Sequence, residues 1–195
     1  MSQRSKRAAI LDAGLGLVRT EGFGHTGVAA ISAAAGAPKG SFYNHFASKE
    51  AFGIEVLDAY FATIHLALDT TFRSASNAET GLREYFEHLR RLGEKERFAI
   101  GCLIGNLSAE TAPISERLRA HLLQIISEWR ALIADGVRSA QRRGTVRTDV
   151  EASVLAGLLV DAWQGALLRA KVERTPDALD CFLEVTLPSL LGLAR

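Results

Sequence analysis

The chain has 195 residues, 48% of them hydrophobic, with a formal net charge of +1, which is enough apolar material for a sizeable core and excludes a disordered chain. The near-neutral sum hides an asymmetry: residues 1–50 carry six Lys or Arg against three acids, a balance of +3, and the remainder carries 17 against 19. A basic front on a near-neutral body suits a protein that meets phosphate with one end only.

Apolar residues recur at spacings of three and four with no strand-like alternation, so the chain reads as all-α, with about nine helices. The first, Ser5 to Glu21, groups Ile10, Ala13, Leu17 and Val18 and stops at Gly22. Thr26 is expected to cap a second helix ending near Ala34, with Gly36 closing it. Pro38 suits the first turn of a brief third helix, because its φ is preset and no amide hydrogen is missed there; that helix ends near His45. Ser48 is the expected cap of a long fourth helix with Glu50 in its first turn, and Asn77 opens a fifth. A sixth covers Cys102 to Thr111, and Pro113 separates it from a long seventh striped by Leu118, Leu122, Ile125, Trp129 and Ile133.

Thr148 and Glu151 have the spacing of a capping box before the eighth helix. That helix leaves little polar face, so it must be covered on two sides, once by its own core and once by a partner. Pro176 starts a ninth helix, which Pro188 is expected to bend. Cys102 and Cys181 lack CxxC spacing and do not make a disulfide framework, which points to a reducing compartment, the cytoplasm. No charged-then-apolar leader is present, and the longest strongly apolar run, Val154 to Val160, is far short of the roughly 20 residues that cross a bilayer, so no membrane partner is expected.

The second helix, a short turn containing Gly36, and the third helix have the spacing of a helix-turn-helix. In that motif the second helix enters the major groove with its N-terminal residues at base edges while the first crosses the backbone. Here Lys39 and Ser41 offer donors, Gly40 permits close approach, and Tyr43 and His45 are polar-tipped rings, with Asn44 between them; Phe42 and Phe46 should point into the core. Gly22-Phe23-Gly24-His25-Thr26, Ile31, Ala35-Gly36, Lys39-Gly40, Phe42 to Phe46 and Ser48-Lys49-Glu50 together resemble the signature of the tetracycline-repressor (TetR-like) family, over about residues 4 to 64. The resemblance implies three N-terminal helices for DNA, a helical effector-binding body, and a homodimer joined through the last two helices. It also implies that Thr26, Lys39, Gly40, Tyr43, His45 and Lys49 face DNA. The chain departs from the usual pattern in Ser32, where alanine is common, and in Ala37-Pro38, where valine-serine is common.

The division expected is a DNA-binding domain over residues 1–47 and a ligand-binding and dimerisation domain over 48–195. Gly101-Cys102-Leu103-Ile104-Gly105-Asn106-Leu107-Ser108-Ala109-Glu110 resembles a stretch found in a subset of TetR-like regulators, some of which respond to reactive or unsaturated small molecules. Cys102 at a helix N-terminus is a candidate thiol sensor that Lys171 would tune. Tyr85, Asn106, Trp129 and Trp163, with Tyr60, His88 and Gln164, are candidates to line an effector pocket, set against the plainer reading that such residues are core. No HExxH, GxSxG, Walker or metal-spaced pattern occurs, so neither catalysis, a cofactor nor a metal is expected. The sequence therefore reads as a ligand-responsive regulator, most simply a repressor that binds a palindromic operator on double-stranded DNA as a homodimer and leaves it on meeting a small-molecule effector or thiol-reactive electrophile. The alternatives are an effector-independent DNA-binding protein, or a helical small-molecule-binding protein or enzyme.

Overall fold

The computed structural model of the chain describes residues 3–193, and describes residues 3–5 and Lys39 by their backbone only. The described residues form helices and turns without a strand, as the periodicity requires. The elements are α1 Gln3–Glu21, α2 Val28–Ala34, a 3-10 turn Lys39–Ser41, α3 Lys49–Ser74, α4 Ala78–Lys95, α5 Leu103–Thr111, α6 Glu116–Arg142 and α7 Ala152–Glu173. The C-terminal stretch comprises α8 Asp177–Cys181, a π turn Phe182–Thr186 and α9 Leu187–Leu191.

Two expected caps form. Ser48 Oγ accepts the Ala51 N–H at 3.0 Å, and Asn77 Oδ1 accepts that of Thr80 at 2.9 Å. Two others do not. Thr26 is fully buried and its hydroxyl donates to Gly22 O at 2.6 Å, so α2 starts instead at Val28 behind Gly27. The N-cap Glu151 makes no side-chain cap bond. The α6–α7 connection is tied differently, by the Gln141 side-chain amide donating to Arg147 O at 3.0 Å and Val150 O at 2.8 Å.

Two more expectations need correcting. The third helix, expected to run to His45, is a three-residue 3-10 turn followed by a turn in which His45 N and Phe46 N both donate to Phe42 O. Pro38 and Gly40 leave that segment too short and too poor in helix formers to propagate an α-helix. The ninth helix widens into the π turn just ahead of Pro188, which has no N–H to return to the carbonyl four residues back and whose ring crowds that carbonyl.

The chain divides into two compact units, Met1–Thr63 with Leu103–Ile125, and Ile64–Cys102 with Ile126–Arg195. In the first, Gly36 at φ +62° closes α2 with a Schellman pair, Ala37 N donating to Ser32 O at 2.9 Å and Gly36 N to Ala33 O at 3.0 Å. In the second, Phe86, Trp163 and Phe182 pack with ring centroids 4.8 to 5.2 Å apart. By length and composition α3 could cross a membrane, but its stripe of Phe52, Val56, Leu57, Phe61, Ile64 and Leu68 is buried in protein.

Ser32 is buried on α2 and its hydroxyl has no hydrogen-bond partner among the described residues. A buried hydroxyl without a partner destabilises the fold, so Ser32→Ala should raise stability, by about 1 kcal/mol in urea unfolding. A loss of stability in that variant would mean that the hydroxyl is satisfied in solution.

Candidate functional site

The segment after α2 has two faces. Phe42 and Phe46 are buried with Phe52 of α3, their ring centroids 5.0 to 5.2 Å apart, and Gly14 of α1 leaves the room that Phe52 fills. Fixing those rings inside turns the intervening residues outward: Gly40, Tyr43 and Asn44 are exposed, and Ser41 and His45 are partly so. Tyr43 is 59% exposed, its ring held edge-on against Phe42. A Cβ at Gly40 would meet open space, so nothing inside the protein requires glycine there. Lys39 begins the turn, but its side chain lies outside the described part of the structure.

Two of the residues expected at DNA are engaged within the protein. Thr26 holds the α1–α2 turn from inside, as described above. Lys49 Nζ donates to Gly24 O at 3.2 Å and lies 4.8 Å from the centroid of the Phe23 ring, so this ammonium packs on the same turn. On its other side that turn meets α5: the Phe23 and Gly24 N–H groups both donate to the Glu110 carboxylate. Segment 103–125 contacts α3 as well, through Ser115 Oγ donating to Glu50 and through His121 Nε2 at 2.7 Å from Asp58 Oδ1.

In the second unit the effector candidates Tyr85, Trp129 and Trp163 are fully buried. Trp129 Nε1 donates to Tyr85 Oη at 2.9 Å, and burial drives the Tyr85 phenol well above its ordinary pKa, opposed by the Trp129 bond and reinforced by Cys102. Trp163 Nε1 is buried with no hydrogen-bond partner among the described residues. Cys102 is buried and free, and it is Gln164 of α7 that meets it, the side-chain amide donating to Sγ at 3.3 Å. Lys171 stands seven residues further along α7, in its last turn. Asn106 is half-buried on α5, while Tyr60 belongs to the first unit, under the Arg19 guanidinium. His88 is half-buried, its pKa lowered by burial and then by Arg91 and Lys95. Among the described residues no group of three or more His, Cys, Asp or Glu could hold a metal ion.

Residues 10–56 match the bacterial regulatory proteins of the tetR family, and residues 78–186 match the tetracyclin repressor-like C-terminal domain, more than half of the chain. The chain belongs to the TetR family. It is a DNA-binding transcription regulator and not an enzyme. The HTH-type transcriptional repressor DhaR of Mycobacterium sp. (strain GP1) is 37% identical over 98% of this chain and 95% of its own length. The regulatory protein TetR of Rhodobacter sphaeroides superposes with a TM-score of 0.84 at 32% identity, covering 95% of this chain and 96% of that one. The reduced form of Escherichia coli NemR gives 0.84 at 28% identity, covering 95% and 97%.

Within this TetR-family fold, sequence reasoning missed Glu110. One signal was available: a carboxylate in the last turn of a helix such as α5 is disfavoured by the helix dipole, so its partner should lie off the helix. The buried Tyr85–Trp129 pair makes a second prediction. Tyr85→Phe removes the oxygen that accepts from the buried Trp129 indole N–H and should destabilise the protein by about 1–3 kcal/mol in urea unfolding, with a changed Trp emission in the folded state. An unchanged unfolding midpoint would show that the pair contributes nothing net.

Proposed function

We propose that this chain is a homodimeric repressor that reads a palindromic operator with the segment Pro38–His45 and is released by a small-molecule effector or thiol-reactive electrophile taken up among Tyr85, Trp129, Trp163 and Cys102. The observation that carries the reading is the split face of that segment: two phenylalanines buried against Phe52, and Gly40, Tyr43 and Asn44 turned to solvent with a glycine that the protein itself does not need. An exposed polar edge on a rigidly seated turn is what insertion into a major groove requires. Ser41, His45 and Lys39 extend the same edge, while Thr26 and Lys49 serve it by fixing the α1–α2 turn. The basic residues 1–50 supply the sequence-independent attraction to phosphate.

Release requires an effector with different affinity for the DNA-competent and DNA-incompetent conformations, since equal affinity shifts nothing. The orphan Trp163 N–H supports an effector that carries a hydrogen-bond acceptor, and the buried Cys102 thiol supports one that carries an electrophilic carbon or an oxidant. The likeness to DhaR, a repressor, and to NemR, crystallised in a reduced form, supports both parts. The cytoplasm, where thiols stay reduced, is the compartment this reading assigns.

Tyr43→Ala should weaken binding to a duplex taken from the DNA upstream of its own gene by about 10- to 100-fold, with circular dichroism unchanged. Undiminished binding in fluorescence anisotropy would remove this segment from the interface.

Dimerisation rests on α7. Leu155, Leu159 and Trp163 face the core, while Val154, Leu158, Leu168 and Val172 remain exposed at helical spacing, with Val185 of the π turn also exposed. Such a stripe needs a self-complementary partner surface, which a two-fold dimer provides and which matches paired half-sites. Leu183, by contrast, is core. Leu158→Glu combined with Leu168→Glu should convert a dimer in light scattering to a folded monomer that has lost operator binding. A wild-type monomer at micromolar concentration would end the proposal.

A further inference from the structure

The α1–α2 turn precedes the first helix of the proposed DNA-reading motif, and besides Thr26, which holds it from inside, it is held by groups from distant parts of the chain. Gly22 ends α1 at φ +88°, a left-handed conformation that points the next two amides to one side. Those amides converge on one side chain: Phe23 N–H donates to Glu110 Oε2 at 2.9 Å, and Gly24 N–H donates to Oε1. Two successive backbone donors around one anion form a nest, and here the anion is a carboxylate from 86 residues further along the chain. The turn fits that occupant closely, because a Cβ on Gly24 would stand 2.7 Å from Oε1. The next peptide is held by a cation, with Lys49 Nζ donating to Gly24 O at 3.2 Å. The turn is thus gripped by a carboxylate on one side and an ammonium on the other.

We propose that Glu110 is a positioning residue for operator binding: its carboxylate locks the α1–α2 turn and thereby sets the seating of α2 and of the segment Pro38–His45 that follows it. This rests on the DNA-reading assignment made above for that segment. The lock joins segment 103–125 to the DNA-reading helices at their first turn, and Ser115 with Glu50 and His121 with Asp58 join it to α3. Glu110 needs no contact with DNA for this role.

The sign of one substitution separates positioning from simple electrostatics. Glu110→Gln keeps the size of the side chain and removes a negative charge from the unit that approaches phosphate, so charge alone predicts tighter or unchanged DNA binding. It also replaces one acceptor by an NH2 group that cannot receive either amide, so the positioning role predicts weaker binding, by about tenfold. The salt dependence of the affinity should keep its slope, because no phosphate contact is lost. Amide exchange at Phe23 and Gly24 should accelerate about tenfold in the DNA-free protein while α4 and α7 keep their protection. Gly24→Ala, which displaces the carboxylate sterically, should have the same effect and should add little to Glu110→Gln in the double variant. Binding by Glu110→Gln as tight as wild type, or unchanged exchange at the two amides, overturns the proposal. A wild-type protein that binds no DNA from upstream of its gene overturns the DNA-reading assignment along with it. Wild-type binding that Tyr43→Ala loses and Glu110→Gln keeps overturns this proposal alone.

Discussion

The segment proposed to read DNA depends on the burial of three phenylalanines. The segment Pro38–His45 contains a proline and a glycine and forms only a 3-10 turn, so it has almost no conformational preference of its own strong enough to hold it. Phe42 and Phe46 supply the missing constraint by packing with Phe52, whose helix is in turn started by the Ser48 cap. Each ring contributes a few kcal/mol of burial, more than any backbone term available to so short a segment. Gly14 on α1 is part of the same arrangement, since any side chain there would overlap Phe52. The outward face is free to carry polar groups because the inward face alone secures the segment.

A second constraint arises from how the chain is partitioned. Residues 103–125 belong to one compact unit with the N-terminal helices, while the residues on either side of them in sequence belong to the other. Polar contacts tie this segment to those helices, Glu110 on the α1–α2 turn, Ser115 on Glu50 and His121 on Asp58, and Leu118 lies close to the space beside Gly53. The chain passes out of this segment to Cys102 at one end and through α6 at the other.

The second unit shows how differently buried polar groups can be handled. The Trp129 N–H is taken up by Tyr85 Oη, and the Gln164 amide donates to the Cys102 sulfur, so that indole N–H and that amide are accounted for within the core. The Trp163 N–H is not, although its ring is as deeply buried and is packed against Phe86 and Phe182. On the outer side of the same helix, Leu158 and Leu168 are exposed where the core ends.

The sequence by itself determined the helical class, most of the helix positions and the two faces of Phe42 to Phe46, because each of these follows from local spacing, capping chemistry and glycine or proline placement. Ser48 and Asn77 cap as their types and positions indicate, and the eighth helix does present two apolar faces. Where the local rule failed, a tertiary group had taken over. Thr26 spends its hydroxyl on Gly22 O instead of capping α2, and the Gln141 amide ties the connection that Thr148 and Glu151 would have capped. The segment Pro38–His45 is no α-helix because its shape is imposed by ring burial and not by backbone propagation. Only the tertiary structure decided that Glu110 meets residues 86 positions away and that Gln164 meets Cys102 across 62. Pairings at such separations leave no periodic trace in a single chain, since they depend on which helices fold side by side and not on what each helix is made of.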